Sequence, residues 1–360
     1  MNNLCKAKIG EKLVGDGQPC FITLEAGPTH DGIVTAKKLV DVAVEAKADA
    51  IKFQIFDPDH LVRDKKQLFT YDVLVDRESE KYETVSEPLY DILVRRSMPE
   101  KDWLDLKAYC DKRGIQFFST ISDDSYYSMI EKMNLPSLKV ASADVDHFPL
   151  LRRIARTGSC IQLDTGNATI GEVEKAVDVV MSEGNENIII HNCPSGYPAR
   201  LNSINLNLLN TIRQVFNCPA AYSDHTPGWE MDIAALAKGA SLIEKTITMD
   251  REIRSVEHVM SLEPREAQAF VRSIRDVEVA LGNSRRIMSE EEKENRKAVR
   301  RSVYLSEDVK KGDTLSQAKV DFRRPGFSLT PEEYEKFKSS KFSRDVSAGE
   351  GLKISDLNLE

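Results

Sequence analysis

Eight short apolar, β-prone runs, each followed by an amphipathic helical pattern, constrain this chain more than any other feature. The runs are Phe21–Glu25, Ala50–Gln54, Gln116–Thr120, Ser137–Ala141, Cys160–Asp164, Asn187–His191, Ala220–Ser223 and Ser241–Thr246. A strand–helix unit returns the chain to the same edge of a parallel sheet, and eight such units close the sheet into an α/β (β/α)8 barrel. Six or seven units would favour an open doubly wound sheet. The helical periodicity is clear in Ile33–Ala46, with Leu39, Val40, Ala43 and Val44 on one face. It is equally clear in Pro264–Leu281, with Ala267, Phe270, Val271, Ile274, Val277 and Ala280.

Barrel enzymes carry their chemistry at the C-terminal ends of the strands. Several runs here end in polar, reactive residues. Lys52 and Gln54 lie two apart and so share one side of their strand, opposite Phe53. Lys139 is flanked by Leu138 and Val140 in the same way. A lysine inside a strand core is costly unless an anion accompanies it, so the pair predicts a pocket for a small, multiply charged anion. Ser142 follows Lys139 at the strand end, where a hydroxyl and a backbone N–H can meet a phosphate. Ser119 and Thr120 close the third run, and Asp164-Thr-Gly-Asn167 closes the fifth; small polar turns of this kind cradle anions. Glu25 ends the first run and can serve as a base or orient a hydroxyl, with His30 close behind. Tyr197 lies in a proline turn after the sixth run. Ser223, Asp224 and His225 follow the seventh, and His225 is the leading candidate for a metal ligand. His258 is a second imidazole within reach if the loop after the eighth run folds back. His60 and His147 read as ordinary loop residues.

The 360 residues carry a formal charge of −8, with 41% hydrophobic and 30% charged residues. That balance describes a globular protein and argues against nucleic acid as a partner. A local lysine pocket still overrides the bulk charge for a small anion. The six cysteines show no CxxC spacing and read as free thiols of a reducing, cytoplasmic compartment. There is no leader-like apolar segment at the start, and no run of about 18 apolar residues, so no membrane association is expected.

Three segments depart from a plain barrel. Residues 56–99 form a long polar insertion after the second strand, and such loops act as lids or hold small elements of their own. Residues 283–300 are highly charged and read as a partly helical linker. The remaining 301–360 change to short strands and turns, with the phrase Asp-Val-x-x-Gly at Asp308–Gly312 and again at Asp345–Gly349. The expected division is a barrel over 1–284, a linker over 285–300 and a small domain over 301–360. The small domain is poor in apolar residues and is expected to lean on other surfaces for burial.

The segments LEAGPTHDG, ADAIKFQIF, FFSTISD, LKVASAD, LDTGNAT, NCPSGYP, AYSDHTPGWE and IEKTITMDR occur in the order found in the sialic acid synthase family, which the chain resembles over nearly its whole length. Residues 300–334, with RRPGFSLTP, resemble that family's C-terminal antifreeze-like (SAF) domain of β-clip type. The resemblance implies condensation of phosphoenolpyruvate with an open-chain N-acylated amino sugar to a nonulosonic acid. It implies that Lys52, Thr120, Lys139, Ser142, Asn167 and Ser223 hold phosphoenolpyruvate. Glu25, Gln54, Tyr197 and Glu257 would face the sugar. His225 would bind a divalent metal, Mn2+ or Mg2+. It further implies a head-to-tail homodimer in which Arg324 enters the partner's barrel.

Some positions depart from the family pattern. Thr246 stands where the family's second metal-binding histidine is usual, leaving His258 or Glu257 as substitutes. Val256-Glu257-His258 replaces the usual Pro-Asp-His, Thr29-His30 replaces Asn-His, and Lys47 replaces a glycine. Two other readings are compatible with these changes: an aldol-type synthase using phosphoenolpyruvate with a different acceptor, and a degenerate sugar-binding regulator.

Overall fold

The computed structural model describes residues 5–282 and 284–359. Eight parallel strands close a barrel in chain order: Phe21–Glu25, Ala50–Ile55, Gln116–Ile121, Ser137–Val140, Cys160–Asp164, Ile188–Asn192, Ala220–Asp224 and Leu242–Thr246. The eighth strand pairs with the first, which puts Thr246 beside Glu25. Helices follow the strands and pack their apolar faces on the outside of the ring, around Phe53, Phe117, Trp103, Leu151, Val173 and Phe270. Local sequence fixes several helix ends. Thr169 and Glu172 cap Ile170–Ser182 reciprocally, and Glu263 and Glu266 do so for Pro264–Leu281, where Pro264 fills the first turn. Gly114, at φ 74°, ends Glu100–Arg113 in the left-handed conformation that glycine adopts without strain.

Side-chain alternation divides the barrel interior into two levels. The lower level is apolar: Phe21, Ala50, Phe118, Cys160, Ile189, Ala221 and Leu242. An N-terminal hairpin, Lys6–Ile9 with Lys12–Gly15, plugs it with Ala7, Ile9 and Val14. The upper level, two residues further along each strand, is polar and charged. The lysines therefore face a lumen that is sealed from below.

The 56–99 insertion carries elements of its own. A short helix, Pro58–Leu61, leads into a hairpin, Leu68–Asp76 with Lys81–Pro88, and then into helix Leu89–Arg96. Tyr71, Val73 and Ile92 pack on Val256, and Leu74 packs on Val259 and Met260. Arg77 pairs with Asp250 and Glu263, each at 2.8 Å. The insertion is thus fastened to the loop that follows the eighth strand.

Residues 283–360 form a separate compact unit. The charged run expected as a linker contributes a helix to this unit, Glu290–Val299, capped by Ser289 and Glu292. Strands Ser302–Leu305 and Val320–Arg323 pair antiparallel, as do Lys341–Phe342 and Leu357–Asn358. The two Asp-Val-x-x-Gly phrases meet: Val309 and Val346 exchange backbone hydrogen bonds of 3.0 and 3.1 Å. The unit, expected to lean on other surfaces for burial, has a core of its own. Val303, Leu305, Val309, Leu315, Leu329, Phe342, Val346, Leu352 and Leu357 form a buried cluster. Only Val303 and Leu305 alternate along one strand; Phe342 and Leu357 lie on two-residue strands and the rest come from turns and bridges, so the shared burial leaves little pattern in the sequence.

Among the described residues, no helix is long and apolar enough to cross a membrane. All six cysteines are buried free thiols.

Candidate active site

Both strand lysines turn into the lumen and reach a shared set of carboxylates. Lys52 Nζ contacts Glu25 Oε2, Glu244 Oε1 at 3.1 Å and Thr120 Oγ1 at 3.1 Å. Lys139 Nζ contacts Glu244 Oε1 at 2.6 Å, Ser223 Oγ at 2.8 Å and Asp164 Oδ1 at 3.0 Å. An ammonium has three N–H donors, so each lysine already has three acceptors. The lysines are 4% and 1% exposed and contribute two positive charges against the three negative charges of Glu25, Asp164 and Glu244. The anion pocket foreseen from the lysines is therefore saturated by the protein's own acids.

The excess carboxylate sorts the pKa values. Burial opposes the charge on Glu244, but Lys139 and Lys52 outweigh it and hold this carboxyl well below its usual range. Burial raises Glu25 and Asp164, each of which touches only one lysine. Burial also opposes the charge on Lys52, yet Glu244 and Glu25 push its pKa up, and both ammoniums stay charged. Three acids sharing two cations leave Glu25 and Asp164 as the groups that accept a proton most readily.

Above this cluster lies a cavity of about 270 Å³. Glu25, Lys52, Gln54, Thr120, Ser142, Asn167, Tyr197, His225 and Glu257 line it, as do Asp164, Glu244 and Ser195. Lys139 and Ser223 do not line it; they sit in the ion cluster that does. Two glycines permit the close packing. A Cβ on Gly27 would lie 2.5 Å from Glu25 Oε1, which accepts the Gly27 N–H at 2.6 Å. A Cβ on Gly166 would lie 2.6 Å from the Cys193 carbonyl and 2.7 Å from Ser142 Oγ. Asn167 and Glu257 adopt φ of 57° and 72°, uncommon for residues with side chains and concentrated at functional sites.

Other sequence candidates fall elsewhere. His30 packs edge-on against Phe53 and Trp103, with ring centroids 5.6 and 5.8 Å away, and lies outside the cavity. Asp224 faces the helices, where it binds Lys245, Tyr222 Oη at 2.8 Å and Thr226 Oγ1 at 2.9 Å. His258 does not line the cavity either: its Nδ1 lies 2.8 Å from Thr248 Oγ1. Thr248 lies on the path of the returning loop and holds this imidazole, so the structure places His258 behind the cavity wall and only Glu257, of the two substitutes, on its lining. Arg324 belongs to the second unit. It is exposed and has no ion pair within 4.0 Å among the described residues.

The metal reading can be tested on the donors themselves. Among the described residues, His225 is the one imidazole lining the cavity. Its Nδ1 is 3.0 Å from the Pro194 carbonyl, an arrangement that orients the ring and leaves Nε2 as the ligating nitrogen. Burial, with Lys139 second, lowers its pKa to about 4, so it is neutral. Thr246 is 3% exposed and does not line the cavity. Among the described residues no group of three or more His, Cys, Asp or Glu is arranged to hold a metal. This donor set, one imidazole and the Glu257 carboxylate lining the same cavity, fits a weakly held ion and not a tight two-histidine centre.

Sequence reasoning passed over four participants: Glu244, Gln162, His191 and Arg96. The first three obey the same alternation as the lysines, each two residues from another inward position. Arg96 comes from the insertion. It is 5% exposed, its Nε has no partner, and its strongest neighbour is Glu257, whose carboxyl burial raises to about 7 against the pull of Arg96.

Comparison with known proteins agrees with this architecture. The NeuB family profile matches residues 39–286 and the SAF domain profile matches residues 300–358. An uncharacterised protein of Methanocaldococcus jannaschii is 36% identical over 89% of each chain. The N,N'-diacetyllegionaminic acid synthase of Legionella pneumophila is 33% identical over 95% of this chain and 96% of its own. The crystal structure of an N-acetylneuraminic acid synthetase from Leptospira borgpetersenii superposes with a TM-score of 0.70 at 28% identity, over 82% of this chain and 96% of that one. With a profile matching most of the barrel and relatives aligned along nearly their whole length, the chain belongs to the NeuB family, that of the sialic, legionaminic and pseudaminic acid synthases, and carries a C-terminal SAF domain.

Proposed function

We propose that this chain joins phosphoenolpyruvate to the open-chain form of an N-acylated amino sugar, N-acetylmannosamine-like or a diacetamido-trideoxyhexose, and releases phosphate and a nonulosonic acid. The observation that carries this reading is the buried cluster of two lysines and three carboxylates beneath a polar cavity at the barrel mouth. In the reaction, C3 of the enol attacks the sugar aldehyde and a C–C bond forms. The carbonyl oxygen takes a proton. Water then adds to the cationic C2 and loses a proton, and the bond from C2 to the phosphate oxygen breaks as phosphate leaves, while the new hydroxyl gives up its proton to leave a ketone at C2.

Each step has a candidate group. Lys52, Thr120, Lys139, Ser142 and Asn167 are the proposed anchors for the phosphate and carboxylate. The two lysines gain hydrogen bonds to the substrate only as Glu25 or Asp164 lets go of them or takes up a proton. Glu25, held by Gly27 N–H and Lys52, is placed to orient a sugar hydroxyl or the attacking water. Gln54, Tyr197 and Glu257 form the proposed sugar wall. A divalent ion, manganese or magnesium, would be held by His225 and Glu257, and when bound it would polarise the acceptor carbonyl. We place the enzyme in the cytoplasm as a head-to-tail homodimer, with the exposed Arg324 completing the partner's site.

The test is phosphate release from phosphoenolpyruvate over a panel of mono- and diacetamido hexoses, with the product identified by mass spectrometry. Release with one acceptor and a product of matching mass supports the proposal. Tight sugar binding with no release from any acceptor would leave the regulatory reading.

A further inference from the structure

Hydrogen bonds run unbroken from a backbone carbonyl at the barrel's lower level to the ammonium of Lys139, and the direction of each bond can be read from one end. Ser137 Oγ lies 2.8 Å from the Cys160 carbonyl oxygen. A carbonyl only accepts, so the Ser137 proton is used there. Ser137 must then accept from Gln162 Nε2, at 2.8 Å. That turns Gln162 Oε1 toward His191 Nε2, at 2.8 Å, and this ring nitrogen has to carry a proton.

His191 is fully buried and surrounded by the lysine cluster. Lys139 and Lys52 oppose a further positive charge on the ring, while Glu244 favours one and Asp164 Oδ1 stands 3.9 Å from Nδ1. Burial is the largest influence and lowers the imidazole's pKa well below its usual value. A neutral ring with its proton on Nε2 has a bare Nδ1. Nδ1 lies 2.9 Å from Ser223 Oγ, nearer than the other two acceptors, Asp164 Oδ1 at 3.4 Å and Glu244 Oε1 at 3.5 Å, so Ser223 donates its single proton to it. Toward Lys139, 2.8 Å away, Ser223 can therefore offer only a lone pair.

We propose that His191 is a positioning residue, held in one tautomer by Gln162 and Ser137, that takes the Ser223 hydrogen bond in the unliganded protein and makes Ser223 the acceptor that aims Lys139. The functional part rests on the proposed phosphoenolpyruvate chemistry; the tautomer itself does not. Gln162 and Ser137 do not line the cavity and reach the cluster through the ring.

The direct test is 15N NMR of histidine-labelled full-length protein, with the His191 signal identified by its loss in His191→Leu. The expected result is a neutral ring protonated on Nε2 and unchanged through the neutral pH range. In Gln162→Glu the new carboxylate should convert His191 to an imidazolium. A wild-type ring protonated on Nδ1, or one that titrates near neutrality, overturns the proposal. The functional test is a double-mutant cycle on kcat/KM for phosphoenolpyruvate. His191→Leu should cost about five- to tenfold, the scale of one misdirected hydrogen bond, and should cost almost nothing in a Ser223→Ala background. Equal losses in both backgrounds would mean that His191 acts by packing alone, and would also overturn it. If His191→Leu does not fold, Gln162→Met keeps the imidazole and frees its tautomer, with the same outcomes expected in the cycle. A protein that shows the expected tautomer but releases no phosphate would refute the proposed reaction and leave the tautomer assignment standing.

Discussion

Replacing Lys139 by methionine keeps most of the side-chain volume and removes one buried charge. Three acceptors then lose a partner: Ser223, Glu244 and Asp164. Glu244 retains Lys52 at 3.1 Å. Asp164 retains only a long contact from Ser223 at 3.4 Å and a neutral imidazole at 3.9 Å, so it becomes the orphan. An orphaned buried acid lowers its cost by taking up a proton. For a carboxyl with an ordinary pKa near 3.9, that costs about 4 kcal/mol at pH 7 and about 1.5 kcal/mol at pH 5. The upper figure agrees with the ~3–5 kcal/mol typical of breaking a buried ion pair. The sign follows from the raised folded-state pKa of Asp164 in the variant. Stability is lost as pH rises from the unfolded value toward the folded one and is regained on acidification. Both tryptophans, Trp103 and Trp229, lie in the barrel unit, so urea melts followed by their fluorescence report on that unit. Lys139→Met should be less stable than wild type by up to about 4 kcal/mol at pH 7, since Asp164 is already raised in wild type, with much of the gap closed at pH 5. Adding Asp164→Asn should recover most of the loss and remove its pH dependence. A deficit equal at both pH values, or no recovery with asparagine, would refute the idea that Lys139 serves chiefly to neutralise Asp164.

Four further outcomes are expected. Because the cluster holds three acids and two lysines, binding of phosphoenolpyruvate should take up about one proton, measured by calorimetry in buffers of different ionisation enthalpy; no uptake would mean that the acids move aside while still charged. Glu257, raised to about 7, is charged only above neutrality, so kcat/KM should rise through that pH, and Glu257→Gln should flatten this limb and be more stable than wild type above it. In mixtures, a chain carrying Arg324→Ala and one carrying Lys139→Ala should regain part of the activity through one intact hybrid site; confirmed hybrids without activity would refute sharing between subunits. Manganese should bind wild type in the millimolar range by EPR, and Thr246→His should tighten it by about tenfold or more by restoring a second imidazole; unchanged binding would place the ion away from the eighth strand.

The eight strand–helix units and the inward direction of Lys52 and Lys139 were legible in the sequence. Both follow from short-range rules: period-two alternation, helical spacing, and caps such as Thr169 and Glu263 that act within a few residues. The same rules would have marked Gln162, His191 and Glu244 as inward had they been applied to polar positions as well as to the lysines. What those side chains do was decided only by closure of the ring. Lys139 meets Ser223 and Glu244 from 84 and 105 residues away, and no local pattern shows that its charge is already matched. Closure also paired Thr246 with Glu25, and fastening the insertion to the loop after the eighth strand brought Arg96 toward Glu257. Thr248 captured His258, and the core of the SAF unit assembled from side chains with no common period. Local propensity sets which way a residue faces along its own strand. Which charge it meets there depends on the register and closure of the barrel, and these are properties of the whole chain.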